Sequence, residues 1–138
     1  MGMDLLKAMN MASMGMKTQG IRMRIISENL ANSNTTAKSP NDLPYQRQMV
    51  TFKNILNRRT GVSEIAIGNI IKDTSDFGMK YDPAHPAADE KGYIKTPNVN
   101  SLVEMMDMRE AQRSYEANLG MIEISKSMLM RTVDLLRS

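Results

Sequence analysis

The chain carries an apolar seam of heptad type near each end, and all of its prolines lie between the two. Leu5, Met9, Ala12, Met16, Gln19, Met23, Ile26 and Leu30 fall on alternating four- and three-residue steps, and seven of the eight are apolar. That spacing keeps one face of a helix continuous and fits it to a partner helix, with Gln19 as a polar interruption. A second stripe runs through Met108, Ala111, Tyr115, Leu119, Ile122, Leu129, Val133 and Leu136, interrupted at Lys126 or Ser125. Pro40, Pro44, Pro83, Pro86 and Pro97 all fall between them. Such a chain is expected to build two long helices that pair, joined by a short extended region.

The predicted fold class is mostly α with a small β part. Residues 1–34 and 99–138 form one helical domain, paired as a coiled coil, and residues 35–98 form a small β/loop region. The first helix should stop near Asn32–Asn34, because Asn tolerates the left-handed conformation that ends helices. Asn98 or Asn100 can cap the second, with Glu104 in its early turns. Roughly 35 helical residues there would span about 50 Å. Gly15 and Gly20 each weaken the first helix by roughly 1 kcal/mol, and both read as notches for a close neighbour.

In the middle, Gln48–Phe52 reads as a strand. Glu64–Ile67 and Asn69–Ile71 read as another, with a bulge at Gly68. Asp76–Tyr81 alternates at period two and is expected to be a half-buried strand, after a turn at Thr74–Asp76. Tyr93–Ile94 is a short extended piece. The expected sheet has two or three antiparallel strands and needs a helix or a neighbour to lean on.

Composition closes several routes to chemistry. There is no Cys, so disulfides and thiolate metal sites are excluded, and a single His, His85, excludes His clusters. No run approaches the roughly 18 apolar residues of a membrane span. Asp4, Lys7, Asn10 and Lys17 break the first 20 residues, so no cleaved secretory signal is expected. Leu6 stands where a myristoylation signal needs Ser or Thr. Net charge is +3, with +2 in residues 1–34 and −1 in residues 99–138. This is too little for a nucleic-acid footprint but favours pairing of the two ends. Thirteen of the 15 Met residues lie in the two end segments. Met fills irregular cores and equally suits a surface that packs against non-identical neighbours.

Candidate reactive groups read as structural. His85 in Asp82-Pro83-Ala84-His85-Pro86 reads as a turn His bonded to backbone, against the alternative of a base oriented by Asp82. Asp89-Glu90 lies beside Lys91-Gly92 in a polar turn. Arg58-Arg59 is too small a basic spot to hold nucleic acid. No nucleophile elbow, phosphate loop or metal motif occurs. No catalytic, metal or cofactor-binding residues are expected.

Asn29-Leu30-Ala31-Asn32-Ser33-Asn34-Thr35 resembles the Asn-Leu-Ala-Asn-x-x-Thr signature of bacterial flagellar rod and hook proteins. Tyr81–Asp89, Lys91-Gly92-Tyr93 and Thr96–Asn100 resemble the central block of a proximal-rod member. Glu104-Met105 and Arg113-Ser114-Tyr115-Glu116-Ala117-Asn118 resemble its C-terminal helix. The likeness runs in order along nearly the whole chain. Thr35 is followed by Thr36-Ala37-Lys38 and not by the Pro-Gly-Tyr common in other axial proteins, which favours the proximal rod.

The resemblance implies a non-enzymatic structural subunit of the basal-body rod, helically assembled as the drive shaft that transmits torque and surrounds the export channel. It implies type III export without a cleaved signal and a place in the periplasmic space. The implied partners are other rod subunits, copies of itself, the base of the rod near the membrane ring and the export apparatus, with no nucleic acid and no membrane insertion. The residues expected at interfaces are Leu5, Met9, Met16, Met23, Ile26, Asn29, Leu30, Asn32, Thr35, Arg113, Tyr115, Asn118, Ile122 and Leu129. The rival readings are a cytoplasmic helical adaptor or basic nucleic-acid binder and, more weakly, a peptidoglycan-cleaving enzyme, which no convergent acid pair supports.

Overall fold

Helix-forming sequence at the two ends becomes α1 (Gly2–Ala31) and α2 (Ser101–Arg137), 30 and 37 residues long, in a computed structural model that describes residues 2–137. Met1 and Ser138, which fall in the expected helical domain, lie outside the described residues. Between the helices come β1 (Gln48–Asn57), β2 (Val62–Lys72), β3 (Gly78–Tyr81) and β4 (Tyr93–Thr96). The chain divides into two compact units, each drawing on both helices and on the middle of the sequence.

The first unit holds residues 2–23, 51–69 and 109–137. Here the helices run antiparallel. Gly15 lies against the Asn118 side chain, and seven residues further along α1 an Arg22 nitrogen sits 3.5 Å from Glu110 Oε2, eight residues back along α2. The buried side chains are small or polar: Ala12, Thr18, Ala111 and Ser125. The Thr18 hydroxyl donates to the Ile65 carbonyl at 3.2 Å, tying α1 to β2.

Of the stripe expected on α1, Ala12 and Ile26 are buried and the other six are partly shielded. On α2 it drifts. Glu104, Met108, Ala111, Tyr115, Asn118, Ile122, Ser125, Leu129 and Thr132 are the shielded positions on four- and three-residue steps. The expected Leu119, Val133 and Leu136 are exposed. Polar residues occupy alternate seam positions, so a reading by hydrophobicity slips one residue outward at 119 and 133. Of the two alternatives at the interrupted step, Ser125 is buried and Lys126 exposed.

Gly15 is a true notch. A Cβ placed on it would stand 2.6 Å from Asn118 Nδ2 and 3.0 Å from its Cγ. Gly20, expected to be the same, meets nothing within 4 Å. Gly15→Val should therefore destabilise the first unit by about 1–3 kcal/mol through overpacking, although helix propensity favours Val over Gly. Gly20→Ala should stabilise by up to ~1 kcal/mol. Urea midpoints of the purified variants check both, and adding Asn118→Ala to Gly15→Val should return part of the loss.

β1 and β2 form an antiparallel hairpin closed at Gly61, whose φ of 70° only glycine adopts without strain and whose N–H donates to the Asn57 carbonyl at 2.8 Å. β2 spans Gly68. The glycine makes room for Thr51, whose hydroxyl accepts the Asn69 N–H at 2.8 Å and donates to its carbonyl at 3.2 Å.

The second unit holds residues 24–50 and 70–108. β3 and β4 form a separate two-stranded antiparallel sheet, Gly78 opposite Thr96 and Tyr81 opposite Tyr93. The Tyr81 and Tyr93 rings meet edge-on at 5.3 Å. β3 begins at Gly78, not Asp76, and is exposed along its length, so the half-buried strand is corrected. It pairs only with β4, whose Ile94 carries the burial, 3% exposed. Asp89 Oδ1 accepts the Lys91 and Tyr93 N–H groups, each at 2.9 Å, so this carboxylate shapes its turn. His85 Nδ1 accepts the Ala87 N–H at 3.0 Å, as a turn His does, and Nε2 lies 3.0 Å from the Thr36 hydroxyl.

Helix ends follow hydrogen bonding more than backbone handedness. No described non-glycine residue has positive φ, so the left-handed stop expected near Asn32 does not occur. The Asn32 amide instead donates to the Glu28 carbonyl at 2.8 Å, while its Oδ1 accepts from the Thr35 hydroxyl at 3.0 Å. At the start of α2, Asn100 Oδ1 accepts the Leu102 and Val103 N–H groups at 3.1 and 3.4 Å, making it the cap.

Candidate functional site

The most heavily bonded point in the second unit is the end of the α1 motif. Asn29 is 1% exposed and every polar atom of its amide is used. Its Nδ2 donates to the Gln48 carbonyl at 2.9 Å and to Glu104 Oε2 at 3.4 Å. Its Oδ1 accepts the Tyr45 hydroxyl at 2.7 Å and the Gln48 N–H at 2.9 Å. One side chain thus joins the last turn of α1, the loop, the first residue of β1 and the first turn of α2. Asn29 was expected at a subunit boundary; its amide is fully engaged within the chain.

Glu104, also 1% exposed, receives the Arg47 Nε. The guanidinium continues to Asp73 Oδ2 at 3.2 Å and lies 4.0 Å from Asp107 Oδ2. Burial opposes the Arg47 charge, but the hydrogen bond and charge of Glu104, and then those of Asp73, outweigh it and raise its pKa. Burial first, then the charges of Glu28 and Glu104, push the Tyr45 hydroxyl above its ordinary value and keep it a donor. Asn98 completes the frame: its Oδ1 accepts the Arg47 N–H at 2.7 Å and its amide donates to the carbonyls of Asp73 and Ser75 at 3.0 and 3.1 Å.

Asp73 gives this frame an acid limit. The Ser75 N–H, 2.8 Å from its Oδ1, then the Ser75 side chain and the Arg47 guanidinium hold its carboxyl below the ordinary 3.8, against the desolvation that raises it. A carboxyl with a depressed folded pKa contributes stability above its unfolded pKa and loses it as pH falls through the folded value. Amide protection in the second unit should therefore weaken below about pH 4. Asp73→Asn should flatten part of that dependence, checked by hydrogen exchange between neutral and acid pH.

The remaining expected interface residues divide by burial. Ile26 is buried. Leu5, Met9, Met16, Met23, Leu30, Asn32, Tyr115, Asn118, Ile122 and Leu129 are partly shielded, while Thr35 and Arg113 are exposed. Sequence reading missed Tyr45, Arg47, Asp73 and the partnering of Glu104. One signal was available: Glu104, Ala111, Asn118 and Ser125 recur every seven residues, which marks an inward line despite its polarity.

The cluster holds loops to helices, and among the described residues no buried side-chain nitrogen or oxygen lacks a hydrogen-bond partner. Among the described residues no group of three or more His, Asp or Glu converges as for a metal, and no helix is long and apolar enough to cross a membrane. The arrangement is a hydrogen-bonded frame that ties loops and strands to the two helices.

Comparison with known sequences supplies the family. Residues 9–37 match the family described as flagella basal body rod protein, and residues 90–135 match the C-terminal family of flagellar basal body rod FlgEFG proteins. The flagellar basal-body rod protein FlgC of Agrobacterium fabrum is 44% identical over 137 residues, covering 99% of each chain. The FlgC proteins of Borreliella burgdorferi and Bacillus subtilis are 38% and 36% identical, over 98% and 96% of this chain and 99% of their own. The chain belongs to the FlgC family of flagellar basal-body rod proteins.

Proposed function

We propose that this chain is a non-enzymatic structural subunit of the flagellar basal-body rod, in its proximal part. The observation that carries the reading is uncovered apolar surface. Among the described residues 25 large hydrophobic side chains are exposed, twelve of them on α2. A surface of that extent fits a subunit enclosed by neighbours on several sides.

In this reading the α1–α2 pair packs as a coiled coil, and the partly shielded seam residues complete their burial against other rod subunits and copies of the same chain. The assembly is the drive shaft, transmitting torque around the export channel. The chain reaches the periplasmic space through the flagellar export apparatus without a cleaved signal and joins the rod near the membrane ring. The adaptor and nucleic-acid readings have no comparable support.

Deleting the gene should leave cells non-motile, without hook or filament, because outer parts of a sequentially built shaft need the inner ones. Isolated basal bodies from complemented cells should contain the chain. Normal filaments in the deletion strain, or basal bodies that lack the chain, would refute the reading.

A further inference from the structure

The first unit contains an open groove of about 670 Å³, lined on α1 by Ala8, Met11, Ala12, Gly15, Thr18 and Gln19. Ser114, Ala117, Asn118 and Met121 of α2 form the opposite wall, and Ser63, Glu64 and Ile65 of β2 the end. Ala8 and Ala117 leave room at the groove's mouth, while Ala12 is buried and Gly15 is filled by Asn118. A surface of this kind is filled by large side chains from outside, as knobs enter holes.

The chain carries a matching ridge. Ile124 and Met128 are 56% and 51% exposed, and Arg131 follows at the next step, so the three stand at i, i+4 and i+7 on one face of α2. Ser114 to Met121, the groove's α2 wall, also spans seven residues. Charges complement as well. Glu64 lines the groove and one of its oxygens, Oε1, takes an amide proton from Asn57 at 3.1 Å. Arg131 is exposed and makes no ion pair among the described residues.

We propose that the groove receives the Ile124–Met128–Arg131 ridge of a second copy of this chain, with Arg131 paired to Glu64. This deepens the rod reading and rests on it, by naming which surface of one copy meets which surface of the next. Within the proposal the contact is head-to-tail: each copy's groove takes the ridge of one neighbour while its own ridge enters the groove of another. A contact of that kind adds copies without closing a dimer, unless its rotation happens to close a ring.

Absence of native cysteine makes the test clean. Ala117→Cys and Met128→Cys lie eleven residues apart on one helix, about 16 Å. That is too far for a disulfide within one copy, which needs Cα atoms roughly 4.4–6.8 Å apart. Both positions are exposed, so neither change threatens the fold. In basal bodies isolated from cells making the double variant, mild oxidation should give a ladder of dimers, trimers and higher species that reductant collapses. Glu64→Arg or Arg131→Glu should cut the ladder about tenfold, and the two together should restore it.

A chain present in basal bodies but monomeric on the gel would overturn the proposal and leave the rod reading intact. A product stopping at dimer would overturn the head-to-tail contact, and a double swap that fails to restore the ladder would overturn the Glu64–Arg131 pairing. A chain absent from basal bodies would overturn both readings.

Discussion

Glu104→Ala should cost the second unit about 3–5 kcal/mol, because it leaves the shielded Arg47 without its main counter-charge. The carboxylate is 1% exposed and holds both Arg47 Nε and the Asn29 amide. Asp73 remains on the guanidinium, but at 3.2 Å and through a different nitrogen, so it does not replace the lost bond. Glu104→Gln keeps the volume and one acceptor and should cost less. Replacing Glu104 and Arg47 together by apolar residues of similar size should recover much of the loss, since no orphaned charge is then buried. Urea denaturation of the four chains measures the ordering. A Glu104→Ala chain as stable as the parent would show that the pair is not buried as described.

Asn29→Leu should cost about 3–5 kcal/mol, by a different route. Leucine is similar in size, so little packing is lost, but the Gln48 N–H and carbonyl and the Tyr45 hydroxyl lose their partner. Each shielded polar group left unmade costs about 1–3 kcal/mol, and the sum is not additive because they share one pocket. The loss should appear as faster amide exchange at Gln48 and in the last turn of α1, with Ala12 and Ala111 in the first unit unaffected. Combined with Glu104→Ala, the cost should be well below the sum, because the two side chains are bonded to each other. Additive losses would mean that the two act independently.

The outcome at these two residues shows what was legible from sequence. The two long helices and the existence of strands at Gln48–Phe52 and Glu64–Ile71 follow from periodicity and proline placement. Interior polarity does not. Asn29 reads in sequence as a helix-ending or boundary residue; its amide bonds within the chain, because Tyr45 and Gln48 return to it across a loop whose path no local pattern reveals. Glu104 looked like an ordinary first-turn acid. On α2 the shielding of Asn118, Ser125 and Thr132 defeats a hydrophobic reading, which selects the adjacent Leu119 and Val133. Gly15 and Gly20 look alike in sequence, and only the position of Asn118 separates them. A turn at Thr74–Asp76 is expected to join β2 to β3, but strand pairing is non-local, and β3 pairs instead with β4, Tyr81 opposite Tyr93.

The central claim is that the exposed apolar side chains of this subunit are covered by its neighbours in the rod. Methionine oxidation measures that directly, because sulfoxide forms fastest at accessible thioethers. Met3, Met105, Met106, Met121, Met128 and Met130 are each 50–73% exposed in the single chain. Treated with dilute peroxide, the purified chain should oxidise rapidly at all six. The same chain in isolated basal bodies should be protected at most of them, and at Met121 and Met128 in particular. Equal oxidation rates at all six sites in both preparations would contradict the account.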